Sequence, residues 1–413
     1  MLNFPKIFCI LSIYWGYSDA GLIGDLLDGV GDVVVPSGPE NIGDNLELCG
    51  LEMPELAEYY RYEVDTESVT TEDGYILTVH CVFNSTALNP ALNPVIAWHG
   101  LMADSSSFVL NYPDQSLAFL LADIGYYVCL PNARGNGYSQ GYVNASRNSD
   151  IPVGPYWQFS WDQIAQFDVP AVIDAVLNWT GKSKVIYIGH SQGSTTMFAL
   201  LSSNPKYNEK ISIFVGLAPV TYFSHTTSPL YVGANQLETV LGATYGSQFI
   251  PSTNLQGLLQ FIVCTLPTET LCENLLFLAF GYSSHMDEDR LPVYMCHSPA
   301  DFAWGQFLQY AQLVKVDKVQ KYDFGWSNIQ MYGQPSPPQY DLTKVTAPVA
   351  LFHSDADLTT VDVDVEKLKS QLSNVVYVQQ LSESEDFNHL DYIWGKDVRQ
   401  IVYDDLIDLI ENY

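Results

Sequence analysis

Apolar positions recur along this chain with two different periods. Two β-rich runs, 62–70 and 75–83, flank Glu72-Asp73-Gly74, and an Asp-Gly pair between such runs predicts a hairpin. Downstream, short apolar runs at 94–99, 127–130, 184–188, 211–217, 348–353 and 375–380 are unbroken rather than alternating. Unbroken runs mark strands buried on both faces. Between several of them, apolar residues return at helical spacing over 114–123, 160–178 and 191–202. A hairpin followed by alternating strands and helices predicts an α/β fold, with a mostly parallel central sheet covered on both faces.

The alternation breaks over 222–340, where apolar, Gly-interrupted stretches of helical character include 255–263 and 271–280. Lying between two sheet strands, this stretch reads as one helical insertion over the sheet. The core is then 51–221 with 341–413, closed by a helix over about 396–412. Residues 21–50 lack clear periodicity and read as an extended leader. The first twenty residues place Lys6 before an apolar run and end on Ser18-Asp19-Ala20, the order of an export signal with a small-residue cleavage site. That run is too short to span a bilayer, and no later stretch offers a transmembrane anchor.

Composition narrows the picture. At 47% hydrophobic and 15% charged, the chain can bury a sizeable core and is too poorly charged for a disordered protein. Lys and Arg number 17 against 47 Asp and Glu, a formal net charge of -30. Such a surface repels phosphate backbones, which excludes nucleic acid as a partner and disfavours electrostatic docking on anionic lipid. Of seven cysteines, Cys9 leaves with the signal. The remaining six suit an oxidising compartment but permit fifteen pairings. Cys264 and Cys272 are the local candidate for a bridge; the other four fit buried thiols as well as bridges. Sequons at Asn84, Asn144 and Asn178 fit a glycosylated, secreted product, in the extracellular space or a gut lumen, or a lysosomal one.

Chemistry enters at Gly189-His190-Ser191-Gln192-Gly193. A G-x-S-x-G pentapeptide recurs by chance in roughly one of seven chains this long, so context must carry it. Here a buried strand precedes it and an apolar helix follows, the strand, sharp turn, helix setting of a nucleophile elbow. A serine hydroxyl needs a base, and in this chain order an acid and then a histidine follow the nucleophile. Five histidines lie downstream: His225, His285, His297, His353 and His389. Only His389 sits in a polar loop after the last strand and before the terminal helix. The acid belongs to the loop after 349–353, where Asp355 and Asp357 both qualify and Asp362 and Asp364 fall toward the next helix. Two backbone N–H groups must hold the oxyanion. Gln192 supplies one, and Leu101, in the turn His99-Gly100-Leu101-Met102 after an early strand, supplies the other. His99 and His190 read as structural. The chemistry requires no cofactor and no metal.

In combination, Thr71-Glu72-Asp73-Gly74-Tyr75-Ile76-Leu77, His99-Gly100-Leu101, Asn132-Ala133-Arg134-Gly135-Asn136, the elbow with Gln192 and Asn388-His389-Leu390-Asp391-Tyr392-Ile393-Trp394-Gly395 resemble the acid lipases. That group includes gastric, lysosomal and many insect digestive lipases. The resemblance runs from about residue 62 to the C-terminus. It implies an α/β-hydrolase fold, Ser191 as nucleophile, His389 as base, and 222–340 as a cap and lid over an acyl-binding cleft. Aligning Ser354-Asp355-Ala356-Asp357-Leu358 with the family's Gly-Gly-x-Asp-x-Leu pattern places the acid on Asp357, although Ser354-Asp355 replaces the paired glycines. Cys264 and Cys272 stand one residue closer than the vertebrate bridge.

The implied activity is hydrolysis of acylglycerol esters at an oil-water or micelle interface through an acyl-enzyme. A carboxylesterase or sterol-ester hydrolase is the alternative within this class, and a non-catalytic lipid-binding protein the alternative outside it. The acidic balance suits an acidic lumen, where carboxylates begin to protonate, and a neutral gut equally.

Overall fold

The computed structural model describes residues 42–143, 154–237, 241–249 and 276–413. The hairpin forms as predicted. Strand β1 (Glu63–Thr70) pairs antiparallel with β2 (Tyr75–Phe83), Thr70 opposite Ile76. The turn is closed by its own side chains: Tyr75 N donates to Thr71 Oγ1 at 2.9 Å, and Thr71 Oγ1 donates to Asp73 Oδ1 at 2.7 Å. Gly74 turns the chain at φ +96°, a conformation costly to any residue with a Cβ.

The remaining strands are β3 (Val95–Trp98), β4 (Val128–Pro131), the short β5 (Gly141–Tyr142), β6 (Val185–His190) and β7 (Ile211–Leu217). After them come β8 (Gln248–Phe249), β9 (Phe302–Ala303), β10 (Val349–Ser354) and β11 (Val375–Leu381). The main sheet runs β1-β2-β4-β3-β6-β7-β10-β11, with β5 paired to β2. From β4 to β11 every pairing is parallel. The fold is therefore that of an α/β hydrolase, with a mixed, mostly parallel sheet.

Both faces are covered, which is why the strand patterns are unbroken. Eight helices account for most of the covering: α1 (Ile42–Cys49), α2 (Met53–Tyr59), α3 (Leu117–Asp123), α4 (Val169–Thr180), α5 (Gln192–Ser203), α6 (Pro229–Gln236), α7 (Leu291–His297) and α8 (Trp304–Leu313). Two more, α9 (Asp362–Gln371) and α10 (Asp404–Ile410), follow β10 and β11. Ile186, Ile188 and Val215 share one core with Leu117, Leu121 and Leu406, whereas Val185, Tyr187 and Phe214 share another with Val172, Ile173 and Phe198. Alternate residues of one strand thus feed opposite cores. Each such side chain contributes about 1.5–3 kcal/mol relative to an exposed one.

Four expectations change. The leader does not extend to residue 50: α1 forms within it, Asn45 and Leu48 are buried, Asn45 Nδ2 donates to Asp289 O, and Cys49 bridges to Cys296. The helix expected over 160–178 is interrupted. A π-helical turn, Ile164–Asp168, precedes α4, where Pro170 can donate no hydrogen bond and Asp168 turns onto Arg134. The terminal helix likewise opens on a π-helical turn, Arg399–Tyr403. Within 222–340, helices α6, α7 and α8 are joined by the antiparallel pair β8-β9. Residues 255–263, Cys264 and Cys272 lie outside the described residues, as do the export signal and Asn144.

The other four cysteines are all bridged, Cys81 to Cys129 across the β2-β4 pair in register. Disulfides in so buried a sheet fit a secretory-pathway protein. Asn178 is exposed on α4, whereas Asn84 is half-buried and donates to Asp123 Oδ1. No described helix is long and apolar enough to cross a membrane.

Candidate active site

Parallel pairing brings four loops to the same edge of the sheet. In the β3-β6 register Trp98 lies opposite Gly189, and in β6-β7 His190 lies opposite Leu217. The turn after β3 and the turn after β6 are therefore neighbours. This is also where the strand order reverses, β4 lying on one side of β3 and β6 on the other, the usual place for a site in an open α/β sheet.

Ser191 sits at the sharpest point. Its backbone adopts φ +50°, ψ -117°, a region that strains a residue carrying a Cβ. The surroundings impose it: Ser191 N donates to Leu217 O at 3.0 Å, and Ser194 N to Ser191 O at 2.9 Å. A Cβ on Gly189 would lie 2.6 Å from the Gly193 carbonyl carbon, and one on Gly193 would lie 2.3 Å from Trp98 O. Both glycines are thus dictated by backbone closing on backbone. The Ser191 hydroxyl stands at the start of α5 and makes no hydrogen bond among the described residues.

His389 and Asp357 are in direct contact, Nδ1 to Oδ2 at 2.7 Å, and both are buried. The other carboxylate oxygen of Asp357 accepts from Thr359 N at 2.7 Å and Thr360 N at 2.9 Å. The carboxylate is thereby fixed in rotation. Asp355, the other candidate acid, is exposed and bonds Gln380 instead. Asp364 accepts from His225, and Asp362 from Gln380. Of the four carboxylates weighed, only Asp357 meets His389.

The structural histidines set the geometry of this edge. Ala133 N donates to His99 Nε2 at 3.1 Å, so the ring proton is on Nδ1, which donates to Gly100 O at 2.7 Å. Burial pushes the His99 imidazole down to about 4. Turning the Gly100 carbonyl toward His99 turns the N–H of the same peptide, that of Leu101, the opposite way. Gly100 itself approaches closely: a Cβ on it would lie 3.2 Å from Ser191 Cβ. Gln192 is the first residue of α5, where an N–H has no partner within the helix, and its side chain is anchored by donating to Gln306 Oε1 at 2.7 Å.

His190 donates from Nε2 to the backbone carbonyl of His389 at 2.9 Å. Burial, then the neighbouring His389, pushes its pKa down to about 3. It is a neutral strut between the elbow and the histidine loop. Three further residues of this edge are given no role by spacing or chain order, although Asn388 and Asp391 lie in the run that carries the family resemblance. Phe280 stacks on His389 at 5.7 Å between centroids and 10° between planes. Asn388, fully buried, accepts from Leu390 N and Asp391 N and donates to Gly281 O at 2.8 Å. Asp391 accepts from Asn388 N and Ser283 Oγ, and burial pushes it up to about 7. Phe280, Gly281 and Ser283 come from the 222–340 insertion, so the insertion clasps the histidine loop.

A serine on a strained turn, a buried His-Asp pair on adjacent loops and two backbone N–H groups form a set able to transfer an acyl group. Comparison with known proteins gives the family. Residues 93–396 match the family model described as alpha/beta hydrolase fold, and 53–112 that described as partial alpha/beta-hydrolase lipase region. The chain is 36% identical over 370 residues to gastric triacylglycerol lipase of Bos taurus, covering 88% of this chain and 91% of the relative. It is 35% identical over 376 residues to lipase member K of Homo sapiens, covering 88% and 92%. To lipase 1 of Drosophila melanogaster it is 35% identical over 365 residues, covering 87% and 80%. Among solved structures, an esterase from Exiguobacterium antarcticum superposes with TM-score 0.50 at 12% identity, covering 84% of this chain and 100% of that one. An epoxide hydrolase from Vigna radiata gives TM-score 0.50 at 14% identity, covering 85% and 98%. One architecture serves two chemistries in these structures, so they speak for the fold alone.

Proposed function

The chain belongs to the acid lipase family of the α/β-hydrolase superfamily, and from that premise we propose that it is a triacylglycerol lipase working through Ser191, His389 and Asp357. The observation that carries this reading is the Asp357-His389 bond on the loops beside a Ser191 elbow. The relatives' names supply the substrate class.

In the mechanism, His389 Nε2 takes the hydroxyl proton as Ser191 Oγ attacks the ester carbonyl. Asp357 fixes the proton of His389 on Nδ1 and stabilises the imidazolium that forms. The tetrahedral oxyanion is held by the N–H groups of Leu101 and Gln192, oriented respectively by the His99-Gly100 bond and by the start of α5. Collapse returns the proton from Nε2 to the departing glycerol oxygen and leaves an acyl-Ser191. Water, deprotonated by the same nitrogen, releases the fatty acid. Every proton in the cycle passes through His389, and the steps as written call for no metal.

Residues 222–340 act as a cap over the acyl cleft, supported by the contacts of Phe280, Gly281 and Ser283 with the histidine loop. The substrate is met at an oil-water or micelle interface, and the enzyme acts outside the cell or in an acidic organelle. A panel of short- and long-chain acylglycerols and sterol esters, with and without an emulsion, run from pH 4 to 9, tests this. Long-chain acylglycerol hydrolysis that rises on emulsification is expected. A short-chain optimum indifferent to the interface overturns it in favour of an esterase.

A further inference from the structure

Strand β10 ends on His353-Ser354, and the parallel register sets Gln380 of β11 beside His353. Asp355 follows immediately, and Asp362 is the first residue of α9. One ring nitrogen of His353 and one carboxylate oxygen from each aspartate all lie within 4.8 Å of one another. Gln380 Nε2 donates to both carboxylates, at 2.9 Å to Asp355 and 3.1 Å to Asp362. His353 is 1% exposed, and neither of its ring nitrogens has a hydrogen-bond partner in the protein. A buried imidazole left wholly unsatisfied is costly, and two carboxylates sharing one amide repel each other. A cation among them would take up one ring nitrogen and offset the two carboxylate charges, which relieves the repulsion and part of the imidazole's deficit.

We infer that His353, Asp355 and Asp362 form a site for a divalent cation of zinc-like character. An imidazole nitrogen favours such ions over calcium or magnesium, which prefer all-oxygen shells. Ligands around zinc stand about 3.4 Å apart at the usual bond lengths near 2 Å, a contraction that rotation of two partly solvent-facing carboxylates supplies. Gln380 can complete the shell, since turning its amide over presents Oε1 in place of Nε2. None of this follows from the family: Asp355 stands where the acid lipases carry a glycine.

A second group, His225, Asp317 and Asp364, is also close, but its members are already satisfied. Both oxygens of Asp364 accept from His225, and Lys367 pairs with Asp317. At the first site, a bound cation joins the end of β10 to the start of α9. Between them lies the loop that holds Asp357. Its effect is to brace the acid of the triad from outside the cleft.

Zinc chloride titrated by calorimetry into the EDTA-stripped full chain at neutral pH, with metal content after dialysis, tests the site. One zinc per chain is expected, bound about tenfold or more weakly by the double variant Asp355→Asn/Asp362→Asn. His225→Ala retains the wild-type stoichiometry. Zinc also raises the melting temperature of the wild type and not of the double variant. If circular dichroism shows the double variant unfolded, Asp362→Asn alone carries the comparison. No zinc uptake, equal uptake by the variants, or preference for calcium chloride at equal concentration overturns the inference. These readouts do not involve ester hydrolysis, so they stand apart from the proposed activity.

Discussion

Replacing Asp357 by Asn should silence the enzyme without unfolding it, because the structure dictates which way the new amide faces. The Oδ1 position accepts two backbone N–H groups, from Thr359 and Thr360. An NH2 there would oppose two donors, so the amide oxygen must occupy it. The NH2 is left at the Oδ2 position, 2.7 Å from His389 Nδ1, and there it donates. His389 must then accept at Nδ1 and carry its proton on Nε2, the nitrogen that has to receive the proton of Ser191. A triad held in the wrong tautomer loses about 10⁴ in kcat, equivalent to about 5.4 kcal/mol of transition-state stabilisation. KM should change little, since Asp357 is buried away from bulk substrate, and the melting temperature should stay within a few degrees because the substitution is isosteric. Titration of fatty acid released from an emulsified short-chain triacylglycerol, with melting followed by circular dichroism, measures both. A loss in kcat under tenfold with the fold intact would refute the tautomer argument.

Three other consequences concern the frame around the triad. Gly193→Ala brings a Cβ to 2.3 Å from Trp98 O; the strand end and the Leu101 turn must move, so a stability loss of about 1–3 kcal/mol and at least a hundredfold loss of activity, about 2.7 kcal/mol, are expected from urea melts and the same titration. Asn388→Ala strands Leu390 N and Gly281 O, whereas Asp391 N keeps the Asn388 backbone carbonyl; at about 1–3 kcal/mol for each unpaired buried group, urea melts should show a few kcal/mol lost, and kcat should fall with the displaced His389 loop. Asp391 gives a pH dependence. Its folded pKa near 7 lies above the ordinary 3.8, so the folded state holds a proton that the unfolded state has released. The contribution is fully present below about pH 4 and lost as pH rises through 7, about 4 kcal/mol in all. Asp391→Asn should therefore gain stability relative to wild type at pH 8 and little at pH 4, by urea midpoints at the two values.

Much of this site is legible in the sequence, because its logic is local. A buried strand, a G-x-S-x-G turn and an apolar helix are contiguous, and the order nucleophile, acid, histidine follows from the connectivity of the sheet. Residue spacing alone left Asp355 and Asp357 open; the resemblance chose Asp357, and its contact with His389 agrees. What escaped was non-local or masked by propensity. Cys49 and Cys296 are separated by 247 residues, and no spacing rule joins them. Helix α1 is short and acidic, and its place depends on that bridge and on Asn45 meeting Asp289. The π-helical turn before α4 answers to Arg134, a buried guanidinium shared by Asp73 and Asp168, which periodicity cannot show. Phe280 stacks on His389 from within a long insertion, more than a hundred residues away in sequence.

The central claim is that Ser191 is the nucleophile of an acyl-enzyme. A fluorophosphonate probe applied to wild type and to Ser191→Ala, with the modified peptide identified by mass spectrometry and triacylglycerol hydrolysis measured in parallel, tests it most directly. One equivalent on Ser191 with complete loss of hydrolysis in wild type, and neither labelling nor hydrolysis in a folded Ser191→Ala, is the predicted result. Undiminished hydrolysis by Ser191→Ala, or a label on another residue, would contradict it.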